Sequence, residues 1–194
     1  MIYPPLQHLK VILASSSARR QQLIKDLGVN YEVRIKEVEE RYPDHLKRED
    51  IAMFLANLKA EAFSSDDLAD NEVLLTADTI VCIGDEVLMK PKDYKDAVRI
   101  IQSLSSKKHQ VITGLCLKSN KKKQVHAVIT DVFFKELSPI EIDFYVKKYK
   151  PYDKAGAYGI QEWIGFIGIE KIEGSFYNVM GLPLQKLYEE LLKF

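Results

Sequence analysis

The sequence predicts an α/β fold built on a mixed sheet, and three observations support this. Strand-like apolar runs alternate with helical patterns early in the chain. Two long strands, 110–118 and 124–134, form a hairpin in the middle, which a purely parallel sheet does not contain. No internal repeat, linker or low-complexity stretch divides the 194 residues, so a single domain over 1–194 is expected, with ample material for a core.

The first strand is Val11-Ile12-Leu13-Ala14, and the helix after it carries Leu23, Ile24 and Leu27 on one face with Gly28 at its stop. Between them lie Ser15, Ser16, Ser17, Arg19 and Arg20, at a strand-to-helix junction. Unpaired backbone N–H groups and the positive end of the helix dipole favour an anion there. Two guanidiniums add forked donors suited to phosphate. The alternative is an ordinary serine N-cap with solvated arginines.

Tyr31–Ile35 is a short strand, and Lys36–Arg48 is charged and irregular, with Glu37, Glu39, Glu40, Arg41 and Pro43. Ile51, Phe54, Leu55, Leu58 and Ala62 mark a helix, with Lys59 beside the stripe, and Ser64–Asn71 is a polar connection. Val73–Cys82 is a strand interrupted by Asp78 and Thr79, and Gly84-Asp85 turns it into Glu86–Met89. Lys90-Pro91 ends that hairpin, because a residue before proline is held extended.

Asp93 caps a helix bearing Ala97, Ile100, Ile101 and Leu104. Of the two long strands, the second is apolar on both faces and should be central, and the lysine-rich turn 119–123 is a solvated connection. Pro139 opens a helix through Lys148, and Pro151–Gln161 is a glycine-containing loop. Phe166–Ile172 reads as a strand and Glu173–Gly181 as a loop. Pro183 begins a last helix with Leu184, Leu187, Tyr188 and Leu191 on one face.

Charge is balanced, with 28 basic and 28 acidic residues, which argues against nucleic acid or an anionic membrane as a partner held by bulk charge. Neither Gly-x-x-x-x-Gly-Lys-Ser/Thr nor Gly-x-Gly-x-x-Gly occurs. Cys82 and Cys116 sit in apolar runs without metal-site spacing, as reduced buried thiols would. MIYPPLQHLK has no signal-peptide core, and no apolar run approaches membrane length, so a soluble cytoplasmic protein is expected. His8, His45, His109 and His126 show no ligand spacing and read as structural or surface residues.

Asp78 is the most informative single residue. A carboxylate inside an apolar strand is costly unless it is paired or binds a cation. It is therefore a general base, a metal ligand, or a structural aspartate bonded to nearby backbone. Glu39 and Glu40 offer oxygen ligands for Mg²⁺, although acidic pairs in loops are usually solvated. Lys59 fits a snorkelling helix lysine as well as a phosphate contact, and Lys90 is fixed by Pro91 at the end of the hairpin that starts from Asp78. Asp153, Lys154, Gly156 and Gly159 suggest a tight pocket-shaping loop, and Gln161 carries a donor and an acceptor on one amide.

In order and spacing, LASSSARR, VEER, LANLKAEA, TADTIV, MKP, HQVITG, DKAGAYGIQ and GSFYNVMGLP resemble the Maf family of nucleoside triphosphate pyrophosphatases over nearly the whole chain. The resemblance implies an elongated mixed sheet flanked by helices, with two lobes and a central cleft, similar to the inosine triphosphate pyrophosphatases. It implies that Asp78 is the proton acceptor, that Glu40, Lys59 and Lys90 are catalytic, and that Arg20 is the second of the arginine pair. Arg19, Thr79 and Gln161 match positions linked to base choice in the dTTP/UTP branch; the 7-methyl-GTP branch has tryptophan where this chain has Arg19. Two departures stand out: Ala18 replaces the usual proline, and Glu162-Trp163 follows Gln161 where glycine is common.

The expected reaction is hydrolysis between the α- and β-phosphates of a nucleotide substrate, dTTP, UTP or a modified pyrimidine triphosphate, to monophosphate and pyrophosphate. Asp78 would activate water. Glu40, with Glu39, would help hold a divalent cation, Mg²⁺ with Mn²⁺ as the alternative. Arg20, Lys59 and Lys90 would clamp phosphates, and backbone donors after Ser15–Ser17 would assist. A homodimer is implied by the family alone. The rivals are a nucleotide-binding regulator linked to septum formation, a phosphatase releasing orthophosphate, and a 7-methyl-GTP pyrophosphatase.

Overall fold

The computed structural model describes residues 3–194. Its elements are β1 (Lys10–Leu13), α1 (Ala18–Asp26), β2 (Tyr31–Val33), α2 (Glu49–Glu61), β3 (Glu72–Ile83), β4 (Glu86–Leu88), α3 (Tyr94–Leu104), β5 (Lys108–Lys118), β6 (Lys123–Phe134), α4 (Pro139–Tyr149), α5 (Trp163–Gly168), β7 (Ile169–Glu173), α6 (Phe176–Val179) and α7 (Leu184–Leu191). They form a mixed α/β fold around a seven-stranded sheet of order β2-β1-β3-β5-β6-β7, with β4 beside β3. β1 runs parallel to β2 and β3, whereas β4 is antiparallel to β3 and β7 to β6. The chain divides into two compact units, one made of the stretch ending at Asp78 with Thr113–Val128 and Gly181–Phe194, the other of Thr79–Ile112 and Ile129–Met180.

In the first unit, Val11, Ile12 and Leu13 are buried on β1, opposite the buried Val73, Leu74 and Leu75 of β3. An ionic ladder that the sequence does not announce crosses these strands. Lys10 reaches Glu32 at 2.6 Å and Glu72 at 3.2 Å, and Arg34 forks onto the same Glu72 at 3.0 and 3.1 Å. The Arg34 fork is the main cause that holds the Glu72 carboxyl below its ordinary range. Helix α2 forms where expected, but its buried face is Ile51, Ala52, Leu55, Ala56 and Ala60, not the stripe through Phe54, Leu58 and Ala62. The reason is close approach to β5: a Cβ on Gly114 would lie 2.1 Å from the Ala52 carbonyl oxygen, so only small residues fit that side of the helix.

In the second unit, Gly84-Asp85 turns β3 into β4, with Val81 opposite Leu88 and Ile83 opposite Glu86. Asp93 accepts from Asp96 N at 2.9 Å and starts α3, whose Ala97, Ile100, Ile101 and Leu104 are all buried. Ser138 and Glu141 form a capping box under Pro139 at the start of α4. The expectation of a strand over 166–172 is corrected. The Glu162 carbonyl accepts from Gly165 N at 2.9 Å and Phe166 N at 3.3 Å, closing the turn of α5, and the strand starts only at Ile169. A short apolar run is ambiguous by periodicity, and burial of Ile164 and Gly168, four apart, settles it as helical. Strand β6 has a neighbour on each side, as a central strand should, yet β7 pairs only with Asp131–Phe134.

His109 is buried in this unit's core, edge-on to Phe134 and Tyr158, with Nε2 2.8 Å from the Tyr158 hydroxyl. Burial pushes the imidazole down to about 4 from 6.5, against the opposing pull of Asp131. Between those values the unfolded chain binds more protons than the folded one, so this group's contribution is complete above the unfolded value and is lost as the pH falls. Stability should drop by about 3 kcal/mol from this source by pH 4. Urea titrations of His109→Gln should show a flatter pH dependence over that window; an unchanged slope would remove His109 as its cause.

Candidate active site

The β1–α1 junction is built by its serines. Ser17 caps α1 by accepting from Arg20 N at 3.5 Å, and the buried Ser15 accepts from Ser17 N at 3.3 Å. Gln21 Nε2 closes the junction onto the Ser15 carbonyl at 3.2 Å. With this cap in place, Ala18 begins the helix without a proline at its first position. Arg20 is anchored at both ends of its fork, Nε donating to the Gly181 carbonyl at 2.8 Å and Nη1 to that of Ala77 at 2.9 Å. Burial lowers its pKa, while the charges of Asp78 and Glu40 pull it up; an arginine so placed remains charged at neutral pH. Arg19 is half-buried beside it.

Asp78 ends the first unit's portion of β3 and is only 8 % exposed. Lys59, on the last turn of α2, places Nζ 2.6 Å from Asp78 Oδ1 and 2.9 Å from Glu40 Oε1. One ammonium thus gathers two carboxylates from separate parts of the chain. Lys59 does not snorkel outward: its side chain is 17 % exposed, because its charge is met inside. Glu39 is not part of the group; it pairs with Arg41 at 2.7 Å and its side chain is 71 % exposed. Among the described residues, no group of three or more His, Cys, Asp or Glu side chains is placed to hold a metal. Two carboxylates converging on one cation still suit Mg²⁺, which commonly takes one or two carboxylates and completes its shell with water and substrate phosphate.

The second unit carries the remaining candidates. Thr79 is half-buried, and Lys90 is exposed after β4 and pairs with no acidic side chain among the described residues. Gln161 is half-buried, and its Oε1 is buried without a hydrogen-bond partner among the described residues. The loop holding it is pinned by a network that sequence reasoning missed. Tyr145 of α4 donates to Glu162 Oε2 and accepts from Gly159 N at 3.0 Å, and Lys154 lies 3.2 Å from Glu162 Oε1 and 2.8 Å from Asp153 Oδ1. Burial, with help from the Glu162 carboxylate, pushes the Tyr145 phenol up. Trp163 packs on Phe144 of α4 with ring centroids 4.8 Å apart. Asn178, in GSFYNVMGLP, is a buried tie that donates to the Val111 carbonyl at 3.0 Å and to Thr130 Oγ1 at 2.9 Å.

A mixed α/β fold carrying a mid-strand aspartate, a shared lysine and a glutamate within electrostatic reach of an anchored arginine defines a protein equipped for a charged small molecule. The chain belongs to the Maf family: the family model described as Maf-like protein matches residues 10–194. It is 51% identical over 191 residues to the dTTP/UTP pyrophosphatase of Flavobacterium johnsoniae, covering 98% of each chain. It is 50% identical to the proteins of the same name from Flavobacterium psychrophilum, over 99% of this chain and 98% of the relative, and from Parabacteroides distasonis, over 97% and 98%.

Proposed function

We propose that this protein hydrolyses dTTP and UTP to the monophosphate and pyrophosphate. The observation that carries the chemistry is the Asp78–Lys59–Glu40 group, a buried acid–base pair with a second carboxylate on the same ammonium. Relatives covering the chain end to end at about half identity are named for this activity. Water adds through oxygen to the α-phosphorus, the bond to the α,β-bridging oxygen breaks, and pyrophosphate leaves with that electron pair. Asp78 takes the water's proton. Its Oδ1 is held by Lys59, which leaves Oδ2 to face the water. Lys59, Arg20 and Lys90 contact phosphate oxygens, with backbone N–H groups after Ser15 and Ser17, and oppose the charge that grows as the bond breaks.

Mg²⁺, with Mn²⁺ as the alternative, would be held by Glu40 and Asp78. When bound it would supply charge neutralisation on the phosphates. A cytoplasmic location is supported by Cys82 and Cys116, both buried and neither joined in a disulfide. Among the described residues no helix is long and apolar enough to cross a membrane. Product analysis over a panel of nucleotides tests the whole proposal: pyrophosphate is expected, orthophosphate would indicate a phosphatase, and no product would indicate a binding regulator.

Base choice is assigned to Gln161 with Arg19 and Thr79. Uracil and thymine present an N3–H donor between two carbonyls, and the unpartnered Gln161 Oε1 is an acceptor that such a donor would satisfy. Cytosine lacks that N–H. An unpaired buried polar group costs about 1–3 kcal/mol. Gln161→Ala should therefore narrow the UTP-to-CTP ratio in kcat/KM by roughly tenfold to a hundredfold. Retention of the full ratio, or a wild-type preference for 7-methyl-GTP, would remove Gln161 from base recognition.

A further inference from the structure

We propose that Glu162 is a positioning residue that holds Gln161 in place for base recognition, a role that rests on the pyrimidine triphosphatase function proposed above. Three bonds close the short stretch from Gly159 to Glu162 on itself. Glu162 N donates to the Gly159 carbonyl at 3.0 Å, Gly159 N donates to the Tyr145 hydroxyl at 3.0 Å, and the same hydroxyl donates to Glu162 Oε2. One phenol oxygen on α4 thus grips both ends of the turn that carries Gln161.

The carboxylate also lies directly over the turn. A Cβ at Gly159 would sit 2.7 Å from Glu162 Cδ, so glycine there is a requirement of the Glu162 placement. The other carboxylate oxygen is met by Lys154 at 3.2 Å, and both side chains are largely withdrawn from water, at 9 % and 18 % exposure. A charge pair this desolvated is costly to break from one side.

Between these fixed points Gln161 keeps a buried acceptor with no protein donor among the described residues. An unpaired carbonyl normally swings until it finds a donor, because leaving it unmet is unfavourable. A turn tied at both ends fixes the point from which the Gln161 side chain starts, so it limits where the amide can reach, and the acceptor is left for a ligand donor. Holding such a group in one geometry before binding is what converts a hydrogen bond into selectivity.

The test is steady-state kinetics with UTP and CTP on the wild type, Glu162→Ala, Glu162→Gln, Tyr145→Phe, Gln161→Ala and the double variant Gln161→Ala/Glu162→Ala. Glu162→Ala should lower the UTP-to-CTP ratio about tenfold, carried mainly by KM for UTP. Glu162→Gln keeps the shape and an acceptor for Tyr145 but loses the charge that meets Lys154, so it should lose less of the ratio than Glu162→Ala. Because Glu162 acts through Gln161, adding Glu162→Ala to Gln161→Ala should leave the ratio where Gln161→Ala put it. Equal losses on both nucleotides, or a further additive fall in the double variant, would overturn the role. If Glu162→Ala does not fold, Tyr145→Phe, which removes one oxygen, should reproduce the loss of ratio, and an unchanged ratio there overturns it. A wild type inactive on UTP and dTTP would instead overturn the proposed function itself, and Glu162's role with it.

Discussion

Asp78→Asn should lower kcat by roughly 10²–10⁴, the usual worth of a positioned general base. The amide keeps the size of the carboxylate and a carbonyl oxygen for the Lys59 ammonium, which lies 2.6 Å from Oδ1 in the wild type. The strand around it is held by other groups: Leu74 and Leu75 are fully buried, and Thr76 Oγ1 donates to the Ala56 carbonyl at 2.6 Å. The melting temperature should therefore stay near that of the wild type while turnover collapses. The measurement is kcat for pyrophosphate release from UTP, with a thermal melt on the same sample. Near wild-type kcat in a folded Asp78→Asn protein would exclude Asp78 as the base.

Lys59→Ala should cut kcat/KM by roughly 10²–10³, the scale seen when a donor aimed at developing charge is removed. The loss should be the same for UTP and CTP, because phosphates are common to both. Two effects combine. A cation is lost, and the Asp78 and Glu40 carboxylates that it joined at 2.6 and 2.9 Å are left without their shared partner. Breaking a largely buried pair from one side is also destabilising, so the melting temperature should fall, unlike that of Asp78→Asn. Lys59→Ala that altered the UTP-to-CTP ratio while keeping kcat/KM for UTP would place Lys59 at the base rather than at the phosphates.

Much of the fold was legible because its cues are local. Asp93 before an amphipathic run, Pro139 at the opening of a helix, and Gly84-Asp85 between apolar strands are each read within a few residues, and each forms as expected. The helix missed at 163–168 and the rotated face of α2 share one cause. Apolar periodicity indicates which residues avoid water, but close backbone approach, such as that of Gly114 to Ala52, sets which side chains can face the neighbour.

The candidate site divides along the same line. Asp78 stood out in the chain alone, since a carboxylate within an apolar strand needs a partner wherever it is found. The identity of that partner was not local: Lys59 is 19 residues away in sequence, and only folding puts its ammonium against Asp78 and Glu40 while Glu39 turns to Arg41. Likewise, Gln161 could be marked from its amide chemistry, but the grip of Tyr145 and Lys154 on Glu162 depends on how α4 and the glycine loop pack. Residue chemistry and short-range spacing belong to the chain. Which charges share a desolvated space, and which side chain is thereby immobilised, is set by contacts distant in sequence.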